Sequence, residues 1–92
     1  MITVKFFTSL QLLVGRSEVK VDRSSATVAE LIYLCEKYTS NSITEKVLNN
    51  RGQLLPEITV LKDGKNIKHL DGLNTELLDG QQLSIFPSVG GG

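Results

Sequence analysis

An α+β roll, with a mixed sheet folded over one main helix, is the fold class that this sequence predicts. Three observations carry the prediction. Ile2-Thr3-Val4-Lys5-Phe6 near the start and Gln82-Leu83-Ser84-Ile85-Phe86 near the end alternate apolar and polar residues, the period of a half-buried strand. Thr27-Val28-Ala29-Glu30 has the capping-box pattern, and Val28, Leu31, Ile32 and Cys35 behind it share one helix face. Asp63-Gly64 stands between two strand-like runs and is a hairpin turn signature.

In chain order, the opening strand is followed by Ser9 to Val14, one helical turn ending at Gly15. Val19 and Val21, spaced by Lys20, give a second short strand. The main helix begins at the Thr27 cap. Ser42-Ile43-Thr44-Glu45 repeats the box pattern before a short stretch from Ile43 to Leu48 that ends near Asn50 and Gly52. After Pro56, Ile58-Thr59-Val60-Leu61-Lys62 and Lys65-Asn66-Ile67 form the hairpin, and Asp71-Gly72 and Asp79-Gly80 mark two further turns.

A single helix with an apolar stripe buries it on the apolar face of the sheet. The inward set is then Ile2, Val4, Phe6, Val19, Val21, Val28, Leu31, Ile32, Cys35, Ile58, Val60, Leu83 and Ile85. Strand, strand, helix and further strands in this order make a β-grasp roll. The expected organisation is one domain over residues 1–87 and a flexible tail over 88–92.

Composition excludes several function classes. With 92 residues there is chain for one core only. Hydrophobic residues at 40% argue against disorder, and 10 Lys+Arg against 10 Asp+Glu give no electrostatic reason to expect nucleic acid or anionic membrane as a partner. The longest apolar run, Leu31 to Cys35, is too short to cross a bilayer. The one cysteine cannot form an internal disulfide, and the expected location is the cytoplasm.

The residues offer little for an ordinary active site. His69 is the only histidine, and with Cys35 it gives too few ligands for zinc, so neither metal nor bound cofactor is expected. Cys35 and His69 could be read as nucleophile and base, but Cys35 lies on the apolar helix face, where cysteine acts as a small hydrophobe. Gly64-Lys65 lacks the upstream glycine and following Ser or Thr of a phosphate loop. Lys62, Lys65 and Lys68 read as a solvated hairpin edge.

The C-terminus is different. Phe86-Pro87 leads to Ser88-Val89-Gly90-Gly91-Gly92, which is either a frayed end, a linker, or a thread without side chains at its tip. From Pro87 the extended segment spans roughly 20 Å, enough to enter a narrow tunnel in another protein. Its glycine tip leaves the carboxylate open to attack.

Taken with that ending, the chain resembles the MoaD/ThiS family of ubiquitin-like sulfur carriers, most closely the small subunit of molybdopterin synthase. The resemblance runs through Ile2-Thr3-Val4-Lys5-Phe6-Phe7, Leu13-Val14-Gly15, Thr27-Val28-Ala29-Glu30-Leu31, Leu77-Leu78-Asp79-Gly80, and Phe86-Pro87 before the terminal Gly91-Gly92. Residues 39 to 56 look like the longer insert of the molybdopterin branch. Ser88 and Gly90 stand where the family commonly has other residues.

The resemblance implies a ubiquitin-like β-grasp carrier whose reactive group is the Gly92 carboxylate. An activating adenylyltransferase of the MoeB/ThiF kind would consume ATP to make the acyl-adenylate, and persulfide sulfur would convert it to a thiocarboxylate. Gly90 and Gly91 would thread into partners. A MoaE-like large subunit, in a heterotetramer, would supply the catalytic groups for sulfur transfer to a pterin precursor. Other outcomes of the same activation are conjugation to lysines as a protein modifier, or sulfur donation to tRNA thiolation or thiamine synthesis. A plain β-grasp interaction domain is a third class. The alternation also sets Phe7, Leu61 and Phe86 opposite the core, as an expected partner-binding patch facing water.

Overall fold

The computed structural model describes residues 1–39 and 42–87. Among these described residues, seven strands and three α-helices follow in chain order: β1 (Ile2–Phe6), α1 (Ser9–Val14), β2 (Glu18–Val21), β3 (Ser25–Thr27), α2 (Val28–Cys35), α3 (Ile43–Val47), β4 (Thr59–Lys62), β5 (Lys65–Asn66), β6 (Glu76–Leu78) and β7 (Gln82–Phe86). The main sheet has the order β2-β1-β7-β4-β5. Only β1 and β7 run parallel; β1–β2, β4–β7 and β4–β5 are antiparallel, so the sheet is mixed as expected.

Register sorts the side chains. Val4 aligns with Val19 on one side and Leu83 on the other, and Ile85 aligns with Phe6 and Val60. This row faces α2, and every member of the predicted inward set is buried. Side chains at adjacent paired positions point to one face, so a single ladder register buries the whole row at once. At roughly 1.5–3 kcal/mol for each fully buried Val, Leu, Ile or Phe, this row is a substantial part of the driving force for folding.

The start of α2 is as its residues dictate. The Thr27 hydroxyl accepts from the Glu30 N–H at 3.1 Å, and the Glu30 carboxylate accepts from the Thr27 N–H at 2.9 Å. Those bonds hold the Glu30 carboxyl below the usual carboxylate range, with a smaller contribution from Arg23. At the Asp63-Gly64 turn both residues have positive φ, 44° and 86°, the type I′ geometry that matches strand twist.

Four features differ from the sequence reading. The second box does not form: Ser42 makes no capping bond, and Glu36 of the preceding 3₁₀ turn takes its place. The Glu36 carboxylate accepts from the Thr44 N–H at 2.7 Å and from the Ser42 hydroxyl at 3.1 Å. Burial works against its ionisation, yet these bonds hold its pKa below the usual range. A second sheet, β3 paired antiparallel with β6, was not expected; it carries Ala26 and Leu77 into the core. Leu10, Val14, Ile43, Val47 and Ile67 complete the core from α1, α3 and the 3₁₀ turn Ile67–His69. The hairpin edge is not wholly solvated, because Lys62 Nζ donates to the Glu76 carbonyl at 2.9 Å; Lys65 and Lys68 are exposed.

Candidate functional site

The outer face of the sheet is built by the same ladder. The Phe7 N–H donates to the Ile85 carbonyl at 3.2 Å, continuing the β1–β7 pairing one residue past Phe6. Phe7 therefore lies beside Phe86, and the two rings stack with centroids 4.3 Å apart and planes 12° from parallel. Leu61 aligns with Ser84 and Thr59 with Phe86. Phe7, Leu61 and Phe86 thus share the face opposite the core, as the alternation predicts.

Their setting corrects one detail. The three residues are half-buried rather than open to water, and the rings cover one another. Stacked pairs of this kind contribute about 0.5–1.5 kcal/mol beyond the area they bury. The stack ends β7 at the point where the chain passes to Pro87. The tail residues Gly90, Gly91 and Gly92, with Ser88 and Val89, lie outside the described residues.

More exposed apolar side chains occur elsewhere, and the sequence reading missed them. Leu12 is 83% exposed and Tyr33 74%. Leu12 was legible in principle, since burial of Leu10 and Val14 at i and i+4 turns position 12 outward.

The other candidates resolve simply. Cys35 is fully enclosed, and burial, with a smaller effect of Glu36, pushes its thiol up to about 12. A thiol so far from ionisation is a core residue and a poor nucleophile. His69 sits on the exposed 3₁₀ turn, so the enclosed thiol and the surface imidazole form no working pair. Among the described residues no group of three or more His, Cys, Asp or Glu could hold a metal ion. No helix among them is long and apolar enough to cross a membrane.

A mixed five-stranded sheet grasping one main helix, with an aromatic stack where the last strand leads into Pro87 and a glycine-ended sequence, defines a ubiquitin-like β-grasp protein. The ThiS family model matches residues 4–92, and the chain belongs to that family. It is 34% identical over 79 residues to a putative sulfur carrier protein of Archaeoglobus fulgidus, covering 86% of this chain and 89% of the relative. It is 33% identical over 91 residues to small archaeal modifier protein 3 of Haloferax volcanii, covering 97% of this chain and 96% of the relative. Among solved structures, a chain of the BexX/CysO complex of Amycolatopsis orientalis superposes with a TM-score of 0.85 at 29% identity, covering 100% of each chain.

Proposed function

We propose that this protein is a sulfur carrier whose C-terminal Gly92 carboxylate is the group that reacts. The observation that supports this most is the family match, which extends through residue 92 and so includes the terminal glycines. A carboxylate is a poor acyl donor because oxide leaves badly. Attack of the Gly92 carboxylate on ATP, within an adenylyltransferase of the MoeB/ThiF kind, releases pyrophosphate and gives an acyl-adenylate. AMP is then the leaving group. Sulfur from a persulfide replaces it, and thiol cleavage of the S–S bond leaves a thiocarboxylate. The setting of this chemistry is the cytoplasm, where ATP is available. The domain contributes recognition: the Phe7–Phe86 stack and Leu61 form the surface that docks on partners, and Gly90 and Gly91 let the tip enter a narrow site.

The finer reading is the small subunit of molybdopterin synthase, with a MoaE-like large subunit supplying the catalytic groups and a pterin precursor accepting sulfur. The insert over residues 39 to 56 supports it; in the structure this segment contributes α3, packed against α2, and the Leu48–Leu54 bridge. A second reading, conjugation of Gly92 to lysines, is favoured by the 33% identity to small archaeal modifier protein 3. Both share the first activation step.

Deleting Gly92, or adding one bulky residue after it, will abolish adenylation while leaving the thermal transition unchanged. Full adenylation of either variant overturns the assignment. Given the thiocarboxylate form, conversion of pterin precursor by the large subunit identifies the molybdenum-cofactor route. A ladder of covalent adducts in cells, lost with Gly92, identifies the modifier.

A further inference from the structure

Strand β2 ends one side of the main sheet. Phe6 N–H donates to the Ser17 carbonyl at 2.9 Å, and Val4–Val19 and Ile2–Val21 are aligned at the same two-residue interval. In an antiparallel ladder the intervening residues turn their backbone groups the other way. The N–H and C=O of Glu18 and Lys20 therefore point outward from the sheet, and their side chains lie on the outer face opposite the buried Val19 and Val21. Open edges of this kind pair readily with another strand unless side chains prevent it.

Opposite charges, Glu18 and Lys20, stand on this edge; in sequence they are flanked by Arg16, whose guanidinium donates to the Tyr38 carbonyl at 3.4 Å, and by Asp22. A uniformly charged edge repels a second copy, whereas an alternating one selects a register. Antiparallel self-pairings centred on any residue from Ser17 to Val21 keep the outward groups of Glu18 and Lys20 opposite other outward groups. Centring on Glu18 sets Glu18 against Glu18, and centring on Lys20 sets Lys20 against Lys20 and Glu18 against Asp22. Centring on Ser17 or on Val21 gives only one of the two strand charges an opposite partner, whereas centring on Val19 sets Glu18 against Lys20 twice, so both charges of β2 meet their opposites. Like charges directly opposite destabilise a sheet, and opposite charges stabilise it. Within one copy the Lys20–Glu18 contact is exposed and 3.9 Å long, and such pairs contribute little. Both charges are thus available to a second chain.

We propose that β2 is a self-association edge, through which two copies of this chain pair antiparallel about Val19 with Glu18 of each facing Lys20 of the other. The contact is isologous, as two-fold symmetry requires. It joins the two main sheets edge to edge with their outer faces on one side. Strand β7 lies two positions away from β2, so the Phe7–Phe86 stack remains uncovered and the dimer presents two carrier surfaces. Short edge contacts give weak dimers, with a Kd on the order of 0.1–1 mM.

Sedimentation equilibrium of the full chain from 20 µM to 2 mM at low salt tests the proposal. The natural protein will show a monomer–dimer equilibrium, weakened in 0.5 M NaCl because the pairs are exposed. Lys20→Glu, and independently Glu18→Lys, will each weaken it about tenfold or more by placing like charges opposite one another. The double variant E18K/K20E will restore self-association and will not pair with the natural protein. Thermal unfolding of each variant confirms that the fold is intact. A natural protein that is monomeric at 2 mM overturns the proposal, as does a dimer that the single substitutions leave unchanged. Failure of the double variant to recover, or its pairing with the natural chain, overturns the Val19-centred register.

Discussion

The two faces of the main sheet share one backbone ladder and differ in everything else. On the inner face Val4, Leu83, Ile85 and Val60 meet α2 and lose all contact with solvent. On the outer face, one residue along each strand, stand Lys5, Ser84, Leu61 and Thr59, with the Phe7–Phe86 stack at the end of β7. Apolar area on the inner face is used up in folding. Apolar area on the outer face stays half-buried, so a partner that covers it gains what folding left unspent. On the proposed reading, the two-residue period of a strand separates stability from recognition.

This separation can be broken by substitution, beginning with the inner face. Leu83→Ala removes a side chain from a fully buried site, and large-to-small changes there cost about 2–5 kcal/mol. Urea unfolding will show that loss as a lower midpoint with little change in slope. Phe7→Ser on the outer face will cost less in stability, and its main effect will be on association. Removing an aromatic anchor typically costs more than about 1 kcal/mol in binding, so affinity for the activating enzyme or large subunit falls about tenfold. Equal losses of stability at Leu83 and Phe7, with affinity untouched, would contradict the division of labour.

Two smaller effects sharpen the comparison by testing what holds the helical side in place. Thr27→Ala removes the hydroxyl that caps α2 and will cost about 1 kcal/mol, read as a small fall in melting temperature. Glu36 tests the start of α3. Its carboxyl titrates below the usual range in the folded protein, because bonds from Thr44 and Ser42 outweigh burial. A depressed carboxylate pKa stabilises the fold above the unfolded pKa, and that contribution is lost as pH falls through the folded value. Glu36→Gln will therefore lower stability near neutral pH, and its difference from the natural protein will shrink below about pH 4. A difference that persists unchanged into acid would show that the charge of Glu36 is not what caps α3.

Much of this was legible in the residues because the strongest signals are periodic. Alternation in Ile2–Phe6 and Gln82–Phe86, and the Val28-Leu31-Ile32-Cys35 spacing, name the faces that become buried. Strands β3 and β6 were not legible. Each has three residues, too few for a period, and their pairing joins Thr27 to Glu76 across half the chain. The second capping box misled for a related reason. Ser42 and Glu45 have the right spacing, but Glu36 from a different turn takes up the Thr44 N–H and the Ser42 hydroxyl instead, a tertiary choice that no local pattern records. At the site, the alternation located Phe7, Leu61 and Phe86 on one face. That the two rings satisfy each other depended on the parallel β1–β7 register, which is set by strands at opposite ends of the chain.

The central claim is that the chemistry resides in the Gly92 carboxylate and that the domain behind it only presents that group. Cys35 is the one side-chain thiol that could compete, and it is enclosed with its pKa pushed up to about 12. Cys35→Ser will cost about 1–3 kcal/mol if the buried hydroxyl finds no partner, yet the variant will still be activated. The most direct measurement incubates this variant with the activating enzyme, ATP and a persulfide sulfur source, then applies a thiol-selective label and maps it by peptide mass spectrometry. Label on the C-terminal peptide ending at Gly92 is the predicted result. A folded Cys35→Ser protein that takes up no label there, while the natural chain is labelled only at Cys35, would contradict it.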